Sequence, residues 1–156
     1  MPPPAHASRS PAPTASGSEA PYRLEDQAGH LLRRAHQRHA ALFQDIMGAI
    51  DLTPTQFAAL ARIRELGETT QNHLGRLTAM DPATIQGVVQ RLEARGLVER
   101  RPDPADRRVM VLSLTGAGDR LARDAIMRAR DITRATLDPL APAERDLFVA
   151  LLRKLS

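Results

Sequence analysis

The chain has 156 residues and a formal net charge of +4, which favours an acidic partner. It contains no cysteine, so disulfides, cysteine-based zinc sites and thiol redox sensing are excluded. One tyrosine and three phenylalanines are too few for a base-stacking platform on single strands, which leaves double-stranded DNA as the better acidic partner.

Residues 1–21 are rich in Pro, Ala, Ser and Thr and have no apolar periodicity, so we expect a disordered tail. The tail lacks the apolar segment of a signal peptide. No later run of apolar residues is long enough to cross a membrane. We therefore expect a cytoplasmic protein without a membrane partner.

A long helix is predicted from about Leu24 to Ala49, because its apolar residues recur at helical spacing over a broad arc. Two histidines, His36 and His39, fall inside this arc. They could be satisfied by carbonyls or water at the edge of a core or subunit interface, or they could line a small-molecule pocket. A metal site is a third, weaker alternative, since no acidic third ligand is nearby.

A helix-turn-helix is predicted next. The capping box Thr53-Pro54-Thr55-Gln56 begins a helix that ends near Gly67, and a shorter helix follows from about Thr70 to Leu77. The turn at 78–80 leads into a further helix. Three polar residues of the shorter helix face outward, either simply solvated or in contact with phosphates: Gln71, Asn72 and Arg76.

The helix from Asp81 to Arg95 has an apolar stripe on one side and Gly96 as its stop. Its other side carries small residues and hydrogen-bonding side chains, where an ordinary solvated helix would carry Glu and Lys. Such a face could enter the major groove, although a solvated face short of charge is the alternative. The candidate contacts are Ala83, Thr84, Gln86, Gly87, Gln90 and Arg91, with sequence choice expected at Thr84, Gln86 and Gln90.

A hairpin with a basic tip follows this helix. Two β-prone runs, 98–101 and 109–114, flank the turn-forming segment Pro102-Asp103-Pro104-Ala105-Asp106. Arg100, Arg101, Arg107 and Arg108 are expected near the tip. A helix followed by such a hairpin predicts a winged helix, in which the wing contacts the flanking backbone or the minor groove.

Two C-terminal helices are predicted, from Thr115 to about Leu137 and from Pro142 to about Leu155, separated by Asp138-Pro139. These helices and the first one flank the winged unit and have spare apolar surface. That surface favours a subunit interface. Ala141 stands where a capping Ser or Thr would be usual.

The run from Arg91 to Arg100, followed by Asp103-Pro104-Ala105-Asp106-Arg107-Arg108 and by Leu112-Ser113-Leu114-Thr115, resembles the signature of the MarR family of bacterial transcription regulators. The resemblance extends from about Leu24 to Leu155. It implies a mainly α fold with a small β-wing, in which a winged helix-turn-helix unit (51–115) lies between dimerisation helices (22–50 and 116–156). It also implies a homodimer.

In each subunit the helix from Asp81 to Arg95 would be the recognition helix. A two-fold dimer would place its two recognition helices about 34 Å apart, one turn of DNA, so we expect an inverted-repeat operator. Because Lys and Arg would neutralise phosphates, we also expect binding to depend steeply on salt. Arg107 is the candidate for the minor groove. Asp106 and Arg108 are expected to brace the tip by ion pairing, although the roles of the two arginines could be exchanged.

The resemblance further implies a small aromatic carboxylate as effector, bound between the dimer helices and the winged unit. The runs 55–60 and 71–81 are similar to repressors of nicotinate catabolism, which respond to hydroxylated nicotinate. The ligand-binding candidates are His36, His39, Phe43 and Phe57. No cofactor is expected.

Two other classes stay open: a ligand-independent architectural DNA-binding protein, and a winged-helix module for protein contact. The basic wing argues against the second. An enzyme is not expected, because the sequence has no glycine-rich phosphate loop, Ser/His/Asp arrangement or metal-spaced carboxylate cluster.

Overall fold

Helices dominate the computed structural model, which describes residues 21–156. The predicted tail lies outside the described residues except for Pro21. One-turn 3₁₀ helices at Leu24–Asp26 and Gly48–Ile50 flank the first long helix. The elements in the described part are α1 (Ala28–Met47), α2 (Pro54–Leu66), β1 (Glu68–Thr70), α3 (Gln71–Leu77), α4 (Pro82–Ala94), β2 (Val98–Pro102), β3 (Met110–Leu114), α5 (Gly116–Leu137) and α6 (Pro142–Leu155).

Local capping determines where the helices of the winged unit (51–115) begin and end. At the start of α2, Thr53 Oγ1 accepts from the Gln56 N–H at 3.3 Å, and the Gln56 side chain accepts from the Thr53 N–H at 3.0 Å. At the end of α4, Gly96 has φ +65° and the Leu97 N–H donates to the Leu92 carbonyl at 3.0 Å. The predicted capping box and glycine stop are confirmed.

The wing belongs to a three-stranded antiparallel sheet with strand order β1-β3-β2. The β2–β3 hairpin was predicted. Strand β1 was not predicted, because three residues are too short to show an alternating pattern. It forms by pairing with the free edge of β3, with Thr69 opposite Leu112.

The core lies where α4, the sheet and the long helices meet. The four apolar residues of the α4 stripe are each at most 2% exposed, and they pack with Met47, Leu60, Ile63, Leu74 and Leu112. Helix α5 packs on α1 and α2. Its first turn lies directly against Leu97, since a Cβ at Gly118 would overlap the Leu97 carbonyl. A side chain at Gly118 would therefore separate α5 from the end of α4.

Helix α6 differs from the other α-helices, each of which has at least two buried residues. All of its residues are described, and none of them is buried. Its N-terminus lacks a hydroxyl cap, as predicted from Ala141, but the Glu144 carboxylate accepts from the Ala141 N–H at 2.7 Å. Across residues 21–156, no helix combines the length and apolar character needed to span a membrane.

Candidate nucleic-acid interface and ligand cavity

The outer face of α4 is free of contacts with the protein interior. Ala83, Thr84, Gln86, Gln90 and Arg91 are exposed. Gly87 is half-buried, and the nearest group to a Cβ built there would be the Arg91 guanidinium at 3.8 Å. The helix backbone can therefore come close to another surface, with amide and guanidinium groups on either side.

Thr84 has a role that the sequence analysis did not include. Its hydroxyl donates to Asp81 Oδ2 at 2.5 Å, and its backbone N–H donates to Asp81 Oδ1 at 2.9 Å. These bonds, the hydroxyl first, hold the pKa of Asp81 below its usual value. Since the hydroxyl proton is used in the cap, Thr84 can offer DNA only its methyl group and acceptor lone pairs.

The polar residues of α3 divide into two groups. Asn72 and Arg76 are exposed beside the start of α4, in a cleft of about 590 Å³. Gln71 is half-buried, and its side-chain oxygen accepts from Arg100 Nη2 at 3.1 Å. Asn72 and Arg76 are thus open to solvent, with Arg76 Nη2 3.5 Å from His73 Nδ1, whereas Gln71 is engaged with the wing.

The ion pair predicted between Asp106 and Arg108 is present at the tip of the wing. Asp106 Oδ1 accepts from the Arg108 backbone N–H at 3.0 Å and lies 3.8 Å from Arg108 Nε. Arg107 is exposed beside it. The carboxylate braces the loop and leaves both guanidinium groups available to solvent or DNA.

Arg100 and Arg101 lie along β2 rather than at the tip, where the sequence analysis expected them. Arg100 Nε donates to Glu93 Oε1 of α4 at 3.1 Å, and Arg101 pairs with Glu68 of β1. Their charges connect the wing to α4 and to the neighbouring strand. Among the described arginines of the hairpin, Arg107 accordingly has the unpaired guanidinium, while that of Arg108 is loosely paired with Asp106 and 95% exposed.

A cavity of about 200 Å³ lies between α1, α2 and α5. Three of the four predicted ligand-binding residues, His39, Phe43 and Phe57, line it together with Pro54, Ala129, Ile132 and Thr133. The two phenyl rings are 6.3 Å apart and tilted by 59°. The space suits a small planar ring packed against aromatic walls.

His36 does not belong to this cavity. It is exposed one turn earlier on α1, whereas His39 is half-buried. The sequence placed both on one apolar arc, but only His39 faces α5. In the described part of the chain neither histidine belongs to a cluster of three metal-ligating side chains.

The partner of His39 could not be found from the sequence. Thr136 Oγ1 lies 3.0 Å from His39 Nδ1, although the two residues are 97 positions apart. The adjacent Arg38 donates to the carbonyls of Ala135 and Thr136 at 2.9 and 3.0 Å. The positive charge of Arg38 at the carboxyl end of α5 also offsets the dipole of that helix. Through Arg38 and His39, α1 therefore holds the last turn of α5 beside the cavity.

Comparison with known proteins gives consistent results. Residues 50–109 match the model of the MarR family. The repressor NicR of Pseudomonas putida is 44% identical over 86% of this chain and 85% of its own length. A solved structure of a probable transcriptional regulator from Pseudomonas aeruginosa is 50% identical, with TM-score 0.81, over 86% of this chain and all of the other.

A second solved structure is that of BpsR from Bordetella bronchiseptica, whose DNA binding is regulated by 6-hydroxynicotinic acid. It is 43% identical, with TM-score 0.81, over 87% of this chain and 97% of the other. The resemblance found in the wing and recognition helix thus covers nearly all of the described chain. The protein belongs to the MarR family of transcription regulators.

Proposed function

We propose that this protein is a repressor that binds an inverted-repeat operator as a homodimer and that a small aromatic carboxylate releases it from DNA. NicR is a repressor, and the DNA binding of BpsR is regulated by 6-hydroxynicotinic acid. A hydroxylated nicotinate is accordingly the first effector to test.

The exposed small-residue face of α4 is the observation that carries the DNA-binding proposal. An apolar stripe anchors the helix, and the opposite face presents Gln86, Gln90 and Arg91 around Gly87. Glutamine can bind adenine through two hydrogen bonds, and arginine can bind guanine or phosphate. Arg107 and Arg108 extend the cationic surface to the flanking DNA.

The dimer proposal rests on an apolar groove between α1 and α6. This groove encloses about 350 Å³. Leu31 is 50% exposed and Leu151 is 48% exposed, which is unusual for leucines grouped on one surface. A second copy of the chain would cover both helices and place two recognition helices on one side of the dimer. The groove is lined by Ala28, Leu31, Leu32, Ala35, Phe148, Leu151, Leu152 and Leu155.

The effector proposal rests on the cavity beside His39. Its walls are provided by α1, α2 and α5, so it joins a predicted dimerisation helix to the first helix of the winged unit. A ligand there would alter the position of α2 relative to α1 and α5. It can shift DNA binding only if it prefers one of the two arrangements.

The DNA part is tested by selecting bound sequences from random duplexes and measuring affinity by fluorescence anisotropy. We expect a two-fold symmetric site. Arg107→Ala should weaken binding at least tenfold, about 1.4 kcal/mol, since a groove contact is lost. Arg134→Ala is the matched control, because it removes the same charge at the far end of α5. Unchanged affinity in Arg107→Ala would remove this residue from the interface.

The effector part is tested by adding 6-hydroxynicotinate and salicylate to the protein–operator complex. We expect at least one of them to release the operator. If no aromatic carboxylate changes operator affinity or the melting temperature, the protein would instead be a ligand-independent DNA-binding protein.

A further inference from the structure

The cavity between α1, α2 and α5 offers a ligand few polar groups. Its lining, all of it from the described chain, is apolar apart from His39 and the Thr133 hydroxyl. His39 is the sole titratable side chain in that lining. Within one chain, His39 is therefore the lining group that can balance a charge on a bound ligand, and leaving a buried charge unpaired is costly.

The hydrogen bonds of Thr136 determine which nitrogen of His39 carries a proton. The Thr136 hydroxyl has one proton, which it donates to the Ile132 carbonyl at 2.8 Å. His39 Nδ1 lies 3.0 Å from the same hydroxyl oxygen. The oxygen must then accept from Nδ1, so the neutral ring is the Nδ1–H tautomer, assigned from the bond network.

His39 Nε2 is the nitrogen that remains for a ligand, since it has no hydrogen-bond partner among residues 21–156. In the neutral ring Nε2 is only an acceptor, and it becomes a donor when the ring is protonated. A carboxylate is also only an acceptor. It can therefore bind Nε2 only if His39 becomes an imidazolium.

The charged groups of the protein around the His39 ring do not supply an anion that would balance an imidazolium. On α1, Arg38 is cationic and bonded to the last turn of α5. Two carboxylates of α5 are paired within the helix, Asp131 with Arg134 at 3.2 Å and Asp124 with Arg128 at 3.0 Å. Asp138, directly after the helix, is exposed, and among the described residues the His39 ring is bonded to Thr136 and to no carboxylate. On α2, the lining residues Pro54 and Phe57 carry no charge. The counter-ion of a protonated His39 must come from the ligand.

We propose that an aromatic carboxylate bound in this cavity takes up one proton from solvent at His39 Nε2, which makes the site selective for monoanionic ring carboxylates. The one bond formed is Nε2–H, whose proton leaves a solvent or buffer molecule, and no bond between heavy atoms changes. The inference rests on the proposed function, in which this cavity is the effector site. Because binding is coupled to the uptake of one proton, carboxylate affinity should fall about tenfold per pH unit over the range in which that uptake occurs. Operator release should weaken in parallel.

The test is calorimetric titration of the full-length protein with 6-hydroxynicotinate at pH 7.5, in phosphate and in Tris. The two buffers differ in ionisation enthalpy, so the difference in observed heat gives the number of protons taken up. We expect close to one proton per site and a Kd that rises about tenfold from pH 7.5 to 8.5. The uncharged amide, 6-hydroxynicotinamide, should bind without proton uptake.

Two variants separate His39 from its neighbours. His39→Gln can still donate an N–H to the ligand but cannot be protonated, so weaker binding without proton uptake and without pH dependence is expected. His36→Gln is the matched control, because His36 lies on the same helix outside the cavity. It should keep the proton uptake of the unmodified protein.

The outcomes distinguish the two proposals. Tight binding of the carboxylate without proton uptake, or proton uptake that persists in His39→Gln, would overturn the inference and leave the effector site in place. Proton uptake that disappears in His36→Gln would overturn the assignment to His39. If neither ligand binds and the operator is not released, the proposed effector site fails, and the inference fails with it.

Discussion

The winged unit buries the apolar stripe of its central helix, whereas part of the apolar surface of the flanking helices stays exposed. In α4 of the winged unit, Ile85 and Leu92 are at most 2% exposed, whereas Leu147 of α6 is 60% exposed and Met127 of α5 is 59% exposed. Both regions carry clear helical periodicity. The DNA-binding half buries its stripe within one chain, while the other half needs further protein surface to cover it. A single chain can therefore present the proposed DNA-contacting surface, but it cannot set the distance between two such surfaces.

The two regions also differ in where their arginines find ion-pair partners. Arginines of the wing bind carboxylates of other elements, as in Arg100 with Glu93. Arginines of α5 mostly bind carboxylates three or four residues away in the same helix, as in Arg123 with Asp119 and Arg134 with Asp131. Ion pairs thus connect the elements of the winged unit, whereas on α5 they mainly support the helix itself.

The largest expected effect comes from charging the groove on α6. Leu151→Asp should abolish the dimer, because two carboxylates would be buried where apolar side chains meet. Operator affinity should fall at least 100-fold, on the order of 3 kcal/mol, since each monomer then binds one half-site without the gain of a second contact. Sedimentation gives the oligomeric state, and anisotropy gives the affinity.

In this test the winged unit should stay folded, as seen by circular dichroism. Ala150→Asp, an exposed neighbour outside the groove, should remain dimeric. Tight operator binding by a monomeric Leu151→Asp protein would contradict the division between the two regions.

A moderate effect is expected at the junction of wing and α4. Arg100→Gln removes the bond to Glu93 and weakens the contact with Gln71. Because the ion pair is about one-third exposed, its loss should cost at most about 1 kcal/mol, or roughly fivefold in operator affinity. Operator affinity would fall because the wing is displaced and because the Glu93 carboxylate is left unpaired near DNA.

A second substitution distinguishes positioning from phosphate contact at Arg100. If Arg100 acts by holding Glu93, adding Glu93→Gln should restore part of the lost affinity, and the salt dependence of binding should stay unchanged. If Arg100 instead contacts a phosphate, the salt slope falls by about one and no restoration occurs.

The smallest effect is expected in the turn between α3 and α4. Ala79 has φ +53°, where a Cβ is unfavourable. Ala79→Gly should raise the free energy of unfolding by about 0.5–1 kcal/mol, measured by thermal or urea denaturation. Ala83→Gly, in the first turn of α4, should lower it by a similar amount. If Ala79→Gly lowered the free energy of unfolding as much as Ala83→Gly does, the turn would not be strained.

Much of the winged unit was predictable because its signals are local. The boundaries of α2 and α4 follow from capping groups within four residues of each helix end, such as Thr53 with Gln56 and Gly96 after α4. The β2–β3 hairpin follows from turn residues between two β-prone runs. Strand β1 could not be predicted, because its three residues become a strand only by pairing with β3.

The candidate sites were predicted only in part. The sequence placed small and amide side chains on the free face of α4, but it did not indicate that Thr84 donates its hydroxyl proton to Asp81 or that Gln71 accepts from Arg100. In α1 it could not distinguish His36 from His39. That difference depends on how α1 and α5 are rotated against each other.

By itself the sequence determined the helices, the wing and the surface that faces outward on α4, since periodicity and capping act over a few residues. Tertiary structure decided which polar groups are already paired and which remain available to a ligand. The bond between His39 and Thr136 joins residues 97 positions apart, and Arg38 reaches the same turn of α5. Such contacts arise from the packing of whole helices, for which no short sequence pattern exists.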